Sequence, residues 1–177
     1  MKRVLFGVLF VILALVLTLT IPAAKGGGDL PNFAKVNDHL YRGAQPTEAG
    51  VVALKKMGVK TIISLRGSDD LVKKEAGWAQ TNGIAFINVQ EGNWSRPSEK
   101  DVDHVVELIN DPQDQPVFVH CKRGSDRTGT VVAVYRMTHD HWTDDQAIDE
   151  AKNFGFGWWQ IWMKDFIKDY YRDRVKK

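Results

Sequence analysis

The apolar positions of this chain follow two periods. Val102, Val105, Val106 and Ile109 recur at i, i+3, i+4 and i+7, which places them on one face of a helix. Ser98 precedes that helix and forms a capping box with Asp101 three residues on. Val59 to Leu65, Ile84 to Val89 and Val117 to His120 are instead short, nearly continuous apolar runs with many β-branched residues, the pattern of buried strands. Leu40 to Arg42 reads as a further short strand. Helices fill the intervals. Thr47 caps one that runs through Met57 and stops at Gly58, and Asp70 to Asn82 forms one that ends at Gly83. Another runs from about Thr128 to His139, and Thr143 caps the next. Gln90 to Pro97 shows no period and reads as a loop. Strands alternate with helices, so the fold class is α/β: a single domain with a central, mainly parallel sheet flanked by helices. Such sheets place their sites at the carboxyl ends of strands.

Both ends of the chain break this alternation. Trp159, Trp162, Met163, Phe166 and Tyr170 form an aromatic stripe on a last helix, and the stripe predicts core. At the other end, Val4 to Ile21 is apolar apart from Gly7, Thr18 and Thr20, and has no polar face. Lys2 and Arg3 precede it; Pro22-Ala23-Ala24 and three glycines at 26–28 follow. This is the layout of a secretory signal. As a helix the run would reach roughly 27 Å, near the ~30 Å of a bilayer core, so an uncleaved anchor is the alternative. Either reading predicts an exported domain, periplasmic or extracytoplasmic, with the basic end left in the cytoplasm. The division is therefore 1–28, a signal peptide or N-terminal membrane anchor with a Gly-rich tether, and 29–177, the folded domain.

Charge narrows the choice of partners. The formal net charge is +2, but three basic residues, Lys2, Arg3 and Lys25, precede Asp29 and none of the 22 acidic ones does, which leaves the folded domain at −1. A near-neutral domain gives no footprint for nucleic acid, so any attraction for anions must be local. The single cysteine, Cys121, excludes an intramolecular disulfide and leaves its role to its neighbours.

Those neighbours are His120-Cys121-Lys122-Arg123-Gly124-Ser125-Asp126-Arg127-Thr128-Gly129, a link from a strand to a helix. A tight turn at a helix N-terminus aims backbone N–H groups inward and adds the positive end of the helix dipole, which makes a phosphate cradle. Gly124 allows backbone that other residues resist, and Arg127 offers a planar fork for two phosphate oxygens. The same field favours the thiolate of Cys121. A thiolate beneath a bound phosphoryl group is placed for in-line attack, and the Thr128 hydroxyl is within the same turn to hydrogen-bond the sulfur.

His120-Cys121, five residues, then Arg127-Thr128-Gly129 resembles the signature of protein tyrosine and dual-specificity phosphatases. Leu40-Tyr41-Arg42-Gly43-Ala44-Gln45-Pro46, Thr61-Ile62-Ile63-Ser64-Leu65-Arg66, Val134-Tyr135-Arg136-Met137 and Gly155-Phe156-Gly157 with Trp162 look like bacterial members of that group, so the resemblance extends over about residues 36–170. It implies that 29–177 is a cysteine-dependent phosphatase domain needing no cofactor or metal. Cys121 would take the phosphoryl group as a cysteinyl-phosphate, which water then hydrolyses. Arg127 and the loop amides would stabilise charge on the equatorial oxygens in both steps. Lys122, Arg123, Gly124, Ser125 and Thr128 complete the substrate-binding set.

The resemblance also implies a general acid, ordinarily an Asp on the loop before the signature strand. Residues 90–97 contain no Asp; Glu91 is their only carboxylate. Asp126, inside the phosphate loop, is the chosen candidate and Glu91 the alternative. The implied partners are phosphoproteins or phosphorylated small molecules. Lys122 and Arg123 resemble the basic residues of inositol-phosphate and phosphoinositide phosphatases, which suits a substrate with several phosphates. A phosphate-binding module without turnover and a rhodanese-like sulfurtransferase are the remaining readings, and the Thr128-Gly129 pair resembles the latter less.

Overall fold

A computed structural model describes residues 28–90 and 96–176. The N-terminal segment with its anchor and cleavage sites, Glu91 and the loop residues up to 95, and Lys177 lie outside the described residues. The order of elements is β1 (Ala34–Lys35), β2 (Leu40–Ala44), α1 (Glu48–Lys56), β3 (Thr61–Ser64), α2 (Asp70–Thr81), β4 (Ala85–Asn88), α3 (Glu99–Asn110), β5 (Val117–Cys121), α4 (Asp126–His139), α5 (Asp144–Asn153) and α6 (Ile161–Tyr170), with a π-helical turn over Tyr171–Val175. The strands form one sheet in the order β1-β2-β5-β3-β4. Only β1, too short to show a period, runs antiparallel. The α/β class with a mainly parallel sheet is what the alternation predicts.

Side chains alternate between the two faces of the sheet. Ile62 and Phe118 pack with Val51 and Leu54 of α1 and Ala79 of α2. Leu40, Ile63, Val117 and Val119 pack on the other face with Val105 and Ile109 of α3 and Val131, Val132 and Tyr135 of α4. The far side of α4 meets α5 and α6 through Ala133, Val134, Met137, Ala147, Ile148, Met163 and Phe166. Helix α4 is thus enclosed on both sides and is buried continuously from Asp126 to Tyr135. That burial fixes the strand–turn–helix joint that follows β5.

The caps hold the helix starts where the sequence placed most of them. Thr47 Oγ1 accepts from the Gly50 amide, Asp69 from Val72, and Ser98 from Asp101 at 3.4 Å. The reciprocal capping box is formed at Thr143 with Gln146. Two sequence readings need correction. Helix α4 begins at Asp126, two residues before the predicted start, because the loop enters it with no side-chain cap at Ser125. The aromatic stripe is core only in part. Met163, Phe166, Ile167 and Tyr170 are buried, but Trp162 is 61% and Trp159 43% exposed. Trp159 precedes the first residue of α6, and Trp162 lies about a quarter turn from the centre of the arc that faces α4.

Candidate active site

Strand β5 is central, paired in register with β2 and β3, and it delivers Cys121 opposite Ala44 and His120 between Gly43 and Ser64. Cys121 is buried at its carboxyl end. The chain then turns through 122–125 and enters α4, so Arg127 stands in the first helical turn. Two glycines make the turn possible. Gly124 has φ +69°, and a Cβ there would lie 2.4 Å from the Gly43 carbonyl carbon and oxygen. Gly43, in turn, has no room for a Cβ against the Phe118 ring at 2.9 Å. The loop therefore rests directly on the backbone of β2, a contact that only paired glycines permit.

Arg127 is buried and donates from Nη1 to the Leu65 carbonyl at 2.6 Å, which ties the head of α4 to the end of β3. Together with Lys122, Arg66, Gly67, Ser68 and Asp69 it lines a cavity of about 280 Å³. Arg66 donates to Gln45 and to Asp69. The Val72 amide, with Arg66 beside it, holds the Asp69 carboxyl below the usual range, although partial burial works the other way. The cavity is thus lined by three cations and one carboxylate beside the first turn of α4, an arrangement chemically able to receive a phosphoryl group.

The other predicted site residues are placed as follows. The Arg123 guanidinium turns to Asp126 Oδ2 at 2.6 Å and does not line the cavity. Asp126 Oδ1 accepts from the Gly157 amide at 2.9 Å. Both carboxylate oxygens therefore already act as acceptors, one toward the loop and one toward the turn that precedes α6. Ser125 Oγ contacts the Arg123 carbonyl at 3.4 Å. Thr128 Oγ1 is buried with no hydrogen-bond partner among the described residues, Cys121 included.

Arg66 and Asp69 were not among the predicted site residues, and two more buried charged residues also escaped sequence reasoning. Arg42, on β2, is one of the most deeply buried side chains; it donates from Nη2 to the Gly124 carbonyl at 3.1 Å and lies 3.9 Å over the Phe154 ring. Burial pushes its guanidinium down to about 10, against the pull of Glu150 and Cys121. Glu75, on α2, is fully buried, accepts from Gln45 Nε2, and approaches His120 Nε2 at 2.9 Å. That approach is close enough for a charge contact but lacks hydrogen-bond alignment. His120 stacks on Phe118 with centroids 5.4 Å apart. A chain of polar contacts thus runs from Arg66 through Gln45 and Glu75 to the residue before Cys121. The only local signals were charged residues at Arg42 in a predicted strand and Glu75 in a predicted helix.

A family model described as DSP-PTPase phosphatase fused to NAD+ kinase matches residues 26–169. The chain belongs to this phosphatase family. Among its relatives, the dual specificity protein phosphatase TpbA of Pseudomonas aeruginosa is 28% identical over 127 residues, which are 71% of this chain and 56% of TpbA. The chain thus spans little more than half the length of that relative. A probable tyrosine-protein phosphatase of Dictyostelium discoideum, DG1060, is 29% identical over 81% of this chain and 88% of its own length. In three dimensions, the core catalytic domain of the PP-IP phosphatase SIW14 from Saccharomyces cerevisiae, solved with citrate, superposes with a TM-score of 0.73 at 22% identity, covering 84% of this phosphatase and 91% of that domain. That likeness establishes the same fold.

Proposed function

We propose that this phosphatase hydrolyses phosphomonoesters of proteins, of the tyrosine or dual-specificity type, with Cys121 as nucleophile and Arg127 as the residue that grips the phosphate. The observation that carries this is the joint itself: Cys121 ends the central strand, and Arg127 stands in the first turn of α4 on the same cavity as Lys122. The sulfur attacks phosphorus, the P–O ester bond breaks, and the leaving oxygen takes a proton. Water then attacks the cysteinyl-phosphate, releasing phosphate and the thiolate. Arg127 and the amides at the head of α4 hold the equatorial oxygens through both displacements.

The sequence assigns the departing proton to Asp126. The geometry supports a positioning role for this residue, since both its oxygens are engaged by Arg123 and Gly157. A leaving-group series separates the two. An acid contributes typically about 10²–10⁴-fold, so Asp126→Asn should then suffer most on alkyl phosphates and little on aryl phosphates with acidic leaving groups. A positioning carboxylate slows both alike, and leaves the leaving-group dependence to Glu91→Gln.

A second substrate reading rests on Arg66 and Lys122 beside Arg127: an inositol phosphate with several phosphates suits three cations on one cavity, and SIW14 is named an inositol diphosphatase. We also propose that Val4 to Ile21 exports the domain and is retained as its anchor. The decisive experiment for the main reading is turnover of a small aryl phosphate. Cys121→Ser should abolish it while oxyanion binding persists, and Arg127→Lys should be severe because one ammonium cannot reproduce the fork. Substantial turnover by Cys121→Ser would sink the mechanism. The mass of the mature chain recovered from membranes tests the anchor; a soluble, cytoplasmic, full-length product would refute it.

A further inference from the structure

The segment between α5 and α6 inverts the usual sorting of side chains. Trp158 is 80% exposed, Ile161 60% and Trp162 61%, with Trp159 half exposed beside them. Trp158 and Trp159 meet edge to face at 5.8 Å. Four large apolar side chains within five residues form one ledge, and contiguous exposed apolar surface marks an interaction site. The buried arc of α6, from Met163 to Tyr170, is already satisfied against α4, so the ledge is not a badly packed part of the core.

Its position supplies the occupant. The ledge begins one residue after Gly157, whose amide is bonded to Asp126 of the phosphate loop. The same rim holds the start of the described chain: Asn32 Nδ2 donates to the carbonyls of Arg123 and Phe154, each at 3.0 Å. The ten residues from Pro22 to Pro31, which join that rim to the apolar run, reach at most about 35 Å. A bilayer that holds Val4 to Ile21 is therefore always within a short tether of the ledge, at a high effective concentration. The composition matches that environment. Trp prefers the membrane–water interface, and Lys164, whose Nζ is bonded to the Trp158 carbonyl at 3.1 Å, brings a cation to the ledge. Arg123, exposed and paired with Asp126, lies in the adjoining phosphate loop. Cations at this level attract anionic headgroups. Asp165 is the exposed acid next to Lys164 and moderates that attraction.

We infer that Trp158, Trp159, Ile161 and Trp162 seat the domain on the surface of the bilayer that holds its own anchor, with the phosphate loop at the edge of the contact. The inference rests on the anchor reading above. Among the described residues no helix is long and apolar enough to cross a membrane, so the ledge lies on the surface and does not span it. Seated in this way, the cavity faces phosphate groups carried close to the membrane, and the tether limits how far the site can turn away.

The test uses the full chain, reconstituted into vesicles of phosphatidylcholine and phosphatidylglycerol whose acyl chains carry bromine as a fluorescence quencher. The variant is Trp158→Ser/Ile161→Ser/Trp162→Ser, and turnover of a soluble aryl phosphate, unchanged in it, shows that it is folded. Wild type and variant should both float with the vesicles. Wild-type tryptophan emission should be quenched, and that quenched component should be lost in the variant. Flotation of both with equal quenching overturns the ledge and leaves the anchor standing. Failure of the wild type to float removes the anchor, and the inference with it. A concentration-dependent dimer in detergent, lost in the variant and accompanied by no quenching, assigns the ledge to a second copy and also overturns the inference.

Discussion

The phosphate loop and the segment that leads into α6 are joined by a hydrogen bond from the Gly157 amide to the Asp126 carboxylate, and they sort their side chains in opposite ways. Around the loop, polar groups are buried: Arg42, Ser64, Glu75, His120, Arg127, Thr128 and Thr130. At the start of α6, tryptophans and an isoleucine face solvent. Burial of a polar group is costly unless it is partnered, and exposure of large apolar ones forfeits about 1.5–3 kcal/mol each. Hydrophobic burial alone accounts for neither pattern. The first concentrates oriented charge under one cavity, and the second offers apolar area to something outside the domain. The lesson is that departures from ordinary sorting mark function in both directions.

Substitutions that respect or violate this contrast should separate in size. The largest effect is expected for Gly124→Ala. A non-glycine residue in the left-handed region costs roughly 1–3 kcal/mol, and the new Cβ would also meet the Gly43 backbone at 2.4 Å. Turnover should fall by about a hundredfold or more as the loop is displaced. Urea unfolding and aryl phosphate turnover, read together, check it; a variant with both intact would mean that the loop does not rest on β2.

Glu75→Ala comes next. It would leave Gln45 Nε2 without its acceptor and remove the carboxylate that faces His120, at about 1–3 kcal/mol for the polar group left unpaired. Glu75→Gln, which keeps the shape, should lose less. If calorimetry finds the two variants equally stable, the polar chain behind His120 is not what holds it.

A smaller, pH-dependent effect belongs to the buried face of α6. Burial, with Asp103 accepting the Tyr170 hydroxyl at 2.8 Å, pushes the Tyr170 phenol up to about 12. The folded state thus favours the neutral phenol. Its contribution is complete below about pH 10, the unfolded value, and is lost as pH rises toward 12. Tyr170→Phe should therefore flatten the fall of Tm across that alkaline window while leaving Tm near neutrality slightly lower. An unchanged alkaline slope would assign the loss to other groups. Least of all, Trp162→Ser on the exposed side should move stability by no more than about 0.5 kcal/mol; a loss of several times that would make Trp162 part of the core after all.

How much of this was legible in the sequence follows the range of the interactions. Helix starts at Thr47, Ser98 and Thr143 are decided within four residues, and they were readable. So were the buried strands, whose composition reflects cover on both faces, and the loop from Cys121 to Arg127, where one short segment carries its own chemistry. The start of α4 at Asp126 was not readable, because no capping side chain marks it. Arg42 and Glu75 were not readable as site residues, because their partners Gly124 and His120 lie 82 and 45 positions away. The exposure of Trp162 was missed for a subtler reason: a periodic stripe tells which residues share an arc, but the width of the arc is set by the neighbour that covers it, here α4.

The sheet order also sets a schedule. β2 and β3 are adjacent along the chain yet have no pairing with each other; β2 pairs with β1 and β3 with β4, and these two halves meet only through β5, the last strand in the chain. Until residue 117 has joined them, the halves β1-β2 and β3-β4 have no strand to bridge them, and each pairing with β5 must wait for a long loop to be drawn together. The sheet therefore closes through its central strand. Cys121 takes its place at the moment the sheet becomes a sheet, so no partly assembled form of this chain carries a finished phosphate loop.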